Sequence, residues 1–357
     1  MDADILVGGQ AVLEGVMMRT PNTFAVAVRR PDGEIVFKRE RVPRWTDRWP
    51  VLKLPFVRGT AILIQSLALG IRALNFSAEA ALETPAPAKT DTPATVPVTV
   101  GAPAPEPAKK KGKKGEKAIL AATMVFSLAL AIALFVYLPY WLSALVTQAT
   151  HGPAPAATAP AAPAPAAGKP APAAAPDVVH ENWLFFNVVD GAIRLAIFLA
   201  YLLLISRMKD IHRVFQYHGA EHKVVHLWEA KEELTVENAR KYTTLHPRCG
   251  TSFLLFVMVV GIIVFTIFRF EALVWKILSR VLLLPLIAGI SYELIRLSAR
   301  FPRNFVCKAM MTPGLCLQRI TTNPPTDDML EVSLKSLQHA LALEDEIKAE
   351  KAAASAA

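Results

Sequence analysis

Long apolar runs alternate with proline-rich or charged stretches along much of this chain, and the runs predict membrane helices. Residues 118–146 are almost purely apolar. That length crosses a hydrocarbon core of about 30 Å as a helix. Residues 183–206, 252–268 and 273–297 predict three further spans. The second carries Asp190 and Arg194, four apart and so on one helical face, which predicts a structural ion pair. The fourth carries Arg280 and Glu293. Residues 54–76 are also apolar, but Arg58 and Arg72 lie among them. Charge at that depth is costly, so the segment reads as an interfacial or packed amphipathic helix instead of a span.

The polar stretches divide the rest. Near the N-terminus, Phe24 to Arg30 and Glu34 to Val42 are β-prone and flank Pro31-Asp32-Gly33, a turn signal, so a β-hairpin is expected. Gly8-Gly9-Gln10-Ala11-Val12-Leu13-Glu14-Gly15-Val16 is glycine-punctuated, which predicts a turn or a close backbone approach. Residues 1–83 thus form a hairpin followed by the interfacial helix, and 84–117 a Pro/Ala-rich, then Lys-rich, linker. Residues 147–182 are Ala/Pro low complexity, a second linker. Residues 207–251 form a His-rich helical loop. Residues 298–357 end in an amphipathic helix that Thr326 starts, with Leu330, Leu334, Leu337 and Leu341 on one face.

Composition agrees: the 357 residues are 53% hydrophobic and 19% charged. That is too apolar for an ordinary soluble protein of this size. The fold class is a mainly α, polytopic membrane protein with about four transmembrane helices, a small N-terminal β-hairpin region and the His-rich helical loop on the cytoplasmic side. The net charge of +9 sits in loops. Lys109, Lys110, Lys111, Lys113, Lys114 and Lys117 precede the first span, and eight basic residues lie between spans two and three. The loop between spans one and two has a single one, Lys169. The positive-inside rule then predicts both termini, and the His-rich loop, in the cytoplasm. The basic run fits anionic lipid head groups; no nucleic-acid module accompanies it, so the bilayer is the expected partner and nucleic acid is not. No cleavable signal peptide is expected. Cys249, Cys307 and Cys316 do not make a disulfide framework; Cys307 and Cys316 read as small apolar fillers.

The chemistry concentrates in Tyr217-His218-Gly219-Ala220-Glu221-His222-Lys223-Val224-Val225-His226. His218 and His222 share a helical face, so both imidazoles can reach one divalent metal, with zinc the expected ion. Glu221 is the expected catalytic base. His246 and Cys249, in His-Pro-Arg-Cys-Gly before span three, are the foremost further ligands, with Glu237 and Glu293 as competitors. H-x-x-E-H is the inverted zinc-peptidase order, in which a downstream glutamate completes the site. His226 reads as a ligand or a neighbour of the ligands. Gln10 and Glu14, and Arg19 near them, are candidates because glycines surround them. The same spacing also suits a solvated polar face on a juxtamembrane helix.

These blocks resemble the YqhQ-like family of bacterial membrane proteins, domain of unknown function 1385, labelled a predicted metal-dependent enzyme. The resemblance rests on Gly8 to Met17, Leu74-Asn75-Phe76-Ser77, Arg213 to Val224, Leu234 to Ala239, Leu245 to Phe253, Pro313-Gly314-Leu315 and Thr321-Thr322. It implies a multi-spanning protein of the bacterial cytoplasmic membrane with a metal site, and it adds weight to Gln10 and Glu14. It identifies no substrate. The residues support two expectations. One is a zinc-dependent membrane hydrolase acting at the cytoplasmic face on an unknown substrate. The other is a non-enzymatic scaffold or assembly factor with a structural metal or a partner-binding histidine loop. Transport through Asp190, Arg194 and Glu293 fits less well, since no internal repeat is visible.

Overall fold

A computed structural model describes residues 5–43, 49–82, 114–151, 183–268, 275, 278–279, 282–301 and 303–356. The Pro/Ala linkers, Lys109 to Lys113 and Arg280 lie outside the described residues. The chain is mainly helical with a small N-terminal antiparallel sheet, and it divides into two units: residues 1–84 with 199–357, and residues 85–198.

The sheet is larger than the expected hairpin. β1 (Gly8–Val12), β2 (Gly15–Arg19), β3 (Thr23–Arg29) and β4 (Ile35–Arg41) form an antiparallel meander in that order. The hairpin is β3–β4, with Arg29 opposite Ile35 and Gly33 at φ +89° in the turn. The glycine-punctuated block is β1 and β2, joined through Leu13 and Glu14, the latter at φ +50°. Strand alternation gives each face its own cover. Val16, Met18, Ala25 and Ala27 face one helical layer; Val12, Met17, Phe24, Val26 and Val28 face another.

The first layer is α5 (Lys209–Glu229) beside α10 (Asp327–Ala356). From α5 it buries Tyr217, Ala220, Val224 and Leu227; from α10, Leu330, Leu334, Leu337 and Leu341, the stripe read from the sequence. The small Ala25 and Ala27 let α10 approach closely. The Ser336 hydroxyl accepts from the Met18 N–H (3.1 Å) and donates to Ala25 O (3.0 Å). The second layer is α1 (Val57–Leu82), which lays Leu69, Ala73 and Ala80 on the other face.

Among the described residues four helices are long and apolar enough to cross a membrane, in the segments Val57–Ala81, Ala122–Thr150, Leu184–Ile205 and Gly250–Ile267. The second of these segments falls in α2 (Lys114–Ile132), a π-helical turn at Ala133–Tyr137 and α3 (Leu138–His151); the third is in α4 (Trp183–Ile205). In α4, Arg194 Nη2 lies 2.7 Å from Asp190 Oδ2, the expected i,i+4 pair. The last is α7 (Gly250–Ile267). Of the 273–297 segment, the structure describes α8 (Leu284–Arg300) as a continuous helix. α1 has the length of a span, yet the half beyond Gln65 covers the sheet, and the Arg19 guanidinium donates to Gln65 Oε1 and Ser66 Oγ. At its other end Arg58 pairs with Glu293 of α8, Nε to Oε1 at 2.7 Å. Arg58 and Glu293 therefore neutralise each other between the two apolar helices, while Arg72 lies near Glu40 of β4. α9 (Phe305–Thr321), which the hydrophobic pattern did not predict, packs on α7 where Gly314 meets Ser252. Cys307 is buried as expected, but Cys316 is exposed on α9 and fills no gap.

Candidate metal centre

α5 carries His218, His222 and His226 at i, i+4 and i+8, one above another on one face. Its termination at Glu229, followed by Lys231 at φ +61°, turns the chain back. The Thr235 hydroxyl then caps the short α6 (Val236–Arg240), accepting from Asn238 N. Residues 242–249 return along the histidine face. Lys223 Nζ fastens this return by donating to Arg240 O (2.8 Å) and Tyr242 O. Gln318 of α9 clamps its far end: its Oε1 accepts from His246 N and its Nε2 donates to His246 O, both at 2.8 Å. Cys249 is the N-cap of α7, with Thr251 N 3.4 Å from Sγ. The sulfur thus sits at the electropositive end of a helix, where an anionic group is favoured.

Three donors converge. Ligand atoms of His218, His222 and Cys249 all lie within 4.8 Å of one another, and His218 Nε2 is 3.2 Å from Cys249 Sγ. Each imidazole is oriented from behind. His218 Nδ1 is 2.8 Å from Thr321 O, and His222 Nδ1 is hydrogen-bonded to Thr244 O. A carbonyl only accepts, so each Nδ1 carries the proton and each Nε2 keeps its lone pair. This is the usual arrangement behind metal-binding histidines. Thr321 O reaches His218 because the strap between α9 and α10 crosses α5 at Gly219. A Cβ there would lie 2.2 Å from Asn323 O, so only glycine admits the strap.

Glu221 is buried, with Oε2 3.5 Å from His222 Nε2. Burial pushes its carboxyl above the usual carboxylate range, opposed by the charges of His218 and His246 and by the Gly9 N–H, which donates to it. Gly9 of β1 packs directly on this side chain: a Cβ would lie 2.7 Å from Glu221 Cγ and 2.6 Å from Met17 O. The close approach expected of the glycine block is therefore an approach to the carboxylate.

A second group adjoins the first. Ligand atoms of His226, Glu229 and His246 also lie within 4.8 Å of one another, and the His222 and His246 ring centroids are 5.7 Å apart. His226 Nε2 is 2.9 Å from Leu245 O and His246 Nε2 is 3.3 Å from Glu229 Oε1. Arg248 is ion-paired to the same Glu229 oxygen. Burial alone would raise the Glu229 carboxyl. The hydrogen bond from His246 and the charges of His246, Arg248 and His226 outweigh it and hold the group below the usual range.

Of the residues singled out in the sequence, His218, His222, Cys249 and Glu221 are thus brought together, and His226 and His246 lie in the adjoining group. The others sit elsewhere. Gln10 points at Gly70 of α1, across the sheet from α5. Glu14 pairs with Arg213, Nε to Oε1 at 2.6 Å, and lies 3.4 Å from the Tyr217 hydroxyl. Glu237 is exposed on α6, and Glu293 is held by Arg58. Glu229 escaped notice as a site residue, although the His226-x-x-Glu229 spacing places both on one face.

A curated relative, the uncharacterized protein YqhQ of Bacillus subtilis (strain 168), is 32% identical over 343 residues, 94% of this chain and 92% of its own length. No solved structure matches the chain. A family model described as a protein of unknown function matches residues 54–343, which takes in α1, both histidine groups and most of α10. The chain belongs to that family, DUF1385.

Proposed function

We propose that this chain is a membrane-embedded, zinc-dependent hydrolase whose site faces the cytoplasm, with His218, His222 and Cys249 as the metal ligands. The observation that carries the reading is the orientation of the two imidazoles. Thr321 O and Thr244 O each take an Nδ1 proton, which leaves both Nε2 lone pairs free, and the two histidines belong to one cluster with the Cys249 thiol. Two nitrogens and a sulfur suit zinc, and three protein donors leave a fourth position open. A zinc ion there supplies Lewis-acid activation of water and of the scissile group. Glu221 is the group that takes and returns the proton. Its burial raises its basicity above that of an ordinary carboxylate, and the Gly9 N–H fixes one side of the carboxylate. The basic loops before the first span and between spans two and three support the cytoplasmic orientation. The membrane-crossing helices in this reading are α2 with α3, α4, α7 and the segment ending in α8, while α1 is packed at the interface.

One observation favours the scaffold reading. Glu221 Oε2 is 3.5 Å from His222 Nε2, near enough for the carboxylate to close a four-donor structural site. Cobalt substitution separates the two. The full chain, purified in detergent, is loaded with Co²⁺ and titrated with acetohydroxamate. An open position predicts a change in the cobalt visible spectrum. It also predicts that Glu221→Gln retains one bound metal, whereas His218→Ala and His222→Ala lose it. A spectrum indifferent to hydroxamate, with metal lost equally from Glu221→Gln, would establish the closed site and reject the hydrolase.

A further inference from the structure

We propose that His226, Glu229 and His246 form a second divalent-cation site, one that uses none of the three donors assigned to the first. Its ligand atoms lie within 4.8 Å of one another, as tight a convergence as in the first group. The orienting logic also repeats. His226 Nε2 donates to Leu245 O at 2.9 Å, leaving its Nδ1 lone pair. Trapping of His246 between the two Gln318 hydrogen bonds fixes the backbone beneath the second ligand. The third donor, Glu229, is a carboxylate already matched to positive charge, since the Arg248 guanidinium occupies one of its oxygens.

That guanidinium is what a cation must displace. The Arg248 N–H lies 3.2 Å from His246 Nδ1, which leaves the His246 proton on Nε2, facing Glu229. Ligation through Nε2 moves this proton to Nδ1 and gives up the Arg248 N–H contact. The 246–248 turn and the Arg248 side chain therefore rearrange together when the site fills. In this arrangement the Arg248 guanidinium supplies the positive charge beside Glu229. The donor set differs from the first as well. It offers two nitrogens and an oxygen without thiolate, and Glu229 is 35% exposed. Such a site suits an exchangeable borderline cation, Zn²⁺, Co²⁺ or Mn²⁺, and holds it less firmly than a buried set with sulfur.

The test is a Co²⁺ titration of the metal-stripped full chain in detergent, in a Cys316→Ser background that removes the exposed thiol, followed by bound metal per chain and by the thiolate-to-cobalt absorption that, of the six donors, only Cys249 can give. Two equivalents are expected, and the thiolate band saturates with the first. His226→Gln and Glu229→Gln should each reduce binding to one equivalent and leave the band intact. Cys249→Ser should abolish the band and leave the second equivalent bound. Arg248→Gln removes the competitor and should tighten the second equivalent about tenfold. One equivalent in the wild type, unchanged in His226→Gln and Glu229→Gln, overturns the second site and spares the first. Absence of the thiolate band with one equivalent lost in Glu229→Gln overturns the first and spares the second.

Discussion

The Gly9 N–H donates to the Glu221 carboxylate and Gly9 packs on its side chain, so the smallest residue of β1 positions the buried carboxylate of the candidate site. Gly9→Ala tests this. The added methyl meets Glu221 Cγ at 2.7 Å and Met17 O at 2.6 Å, and neither is the free end of a flexible chain. Metal content should stay near wild type, because His218, His222 and Cys249 are untouched. Hydroxamate affinity of the cobalt protein should fall about tenfold, as expected when a positioned group shifts by a fraction of an ångström. Unchanged affinity would remove Gly9 from the site. At this scale the sequence exposed the candidate ligands and hid their supports. His218, His222, Glu221 and Cys249 were legible because helical spacing and a known ligand chemistry select them. Thr244 O, Thr321 O and the Gly9 N–H are backbone groups, and backbone carries no side-chain signature. Glu14 and Gln10 share the glycine block but point elsewhere, since strand alternation and a positive-φ turn aim them at Arg213 and at α1.

At the scale of elements, α10 is fastened to the sheet by polar clips as well as by its leucine stripe. The Glu344 carboxylate, 2% exposed, accepts from the Thr20 hydroxyl (2.7 Å), Asn22 N (3.0 Å) and Asn22 Nδ2 (2.5 Å). Glu344→Ala strands these donors at a cost of about 3 kcal/mol. The apparent Tm of the purified chain should drop by roughly 5–10 °C. A drop under about 1 °C would show that water satisfies the donors. A second contact makes stability pH-dependent. His339 of α10 stacks on Phe37 of β4, ring centroids 3.6 Å apart. Burial, then the charges of Arg39 and Lys335, lower its pKa below the ordinary 6.5. The unfolded chain thus binds a proton more readily than the folded one, so stability falls as pH drops below about 6.5 and is insensitive to this group above it. His339→Phe should flatten that acid limb in thermal unfolding between pH 5 and 8, and an unchanged slope would assign it to other groups. Three of the expected apolar helices and the α10 stripe were legible because their patterns are long and consistent, whereas, among the described residues, the 273–297 segment is not one of the helices long and apolar enough to cross a membrane and α1 is. β1, β2 and α9 were not legible: five-residue strands around glycines carry little alternation, and α9 contains Pro313, a helix breaker by rule.

Across the whole molecule, the distribution of charge argues for one orientation. α1 has the length of a span, and counting it together with the segment that ends in α8 would make five crossings and place the two ends of the chain on opposite sides. Its contacts argue against counting it. The half beyond Gln65 is spent on the sheet, and Arg58 needs Glu293 of α8 to be tolerated near lipid. Excluding α1 and including the segment that ends in α8 leaves an even number of crossings, so the N-terminal sheet and α10 stand on the same side. They must, because β2 and β3 pack on α10 in one core. In the proposed orientation the lysine-rich approach to the first span marks that side as cytoplasmic, and the 147–182 linker, with its single Lys169, as the opposite one. Single cysteines read this directly in a Cys316→Ser background, which removes the exposed native thiol. Ala166→Cys in the linker should react with a membrane-impermeant maleimide in intact cells. Ala354→Cys, near the end of α10, should react only after permeabilisation. Labelling of both in intact cells would overturn the even number of crossings, and labelling of Ala354→Cys alone would invert the orientation and move the histidine site to the outer face. Thiols there are liable to oxidation, and a Cys249 ligand would be a poor choice.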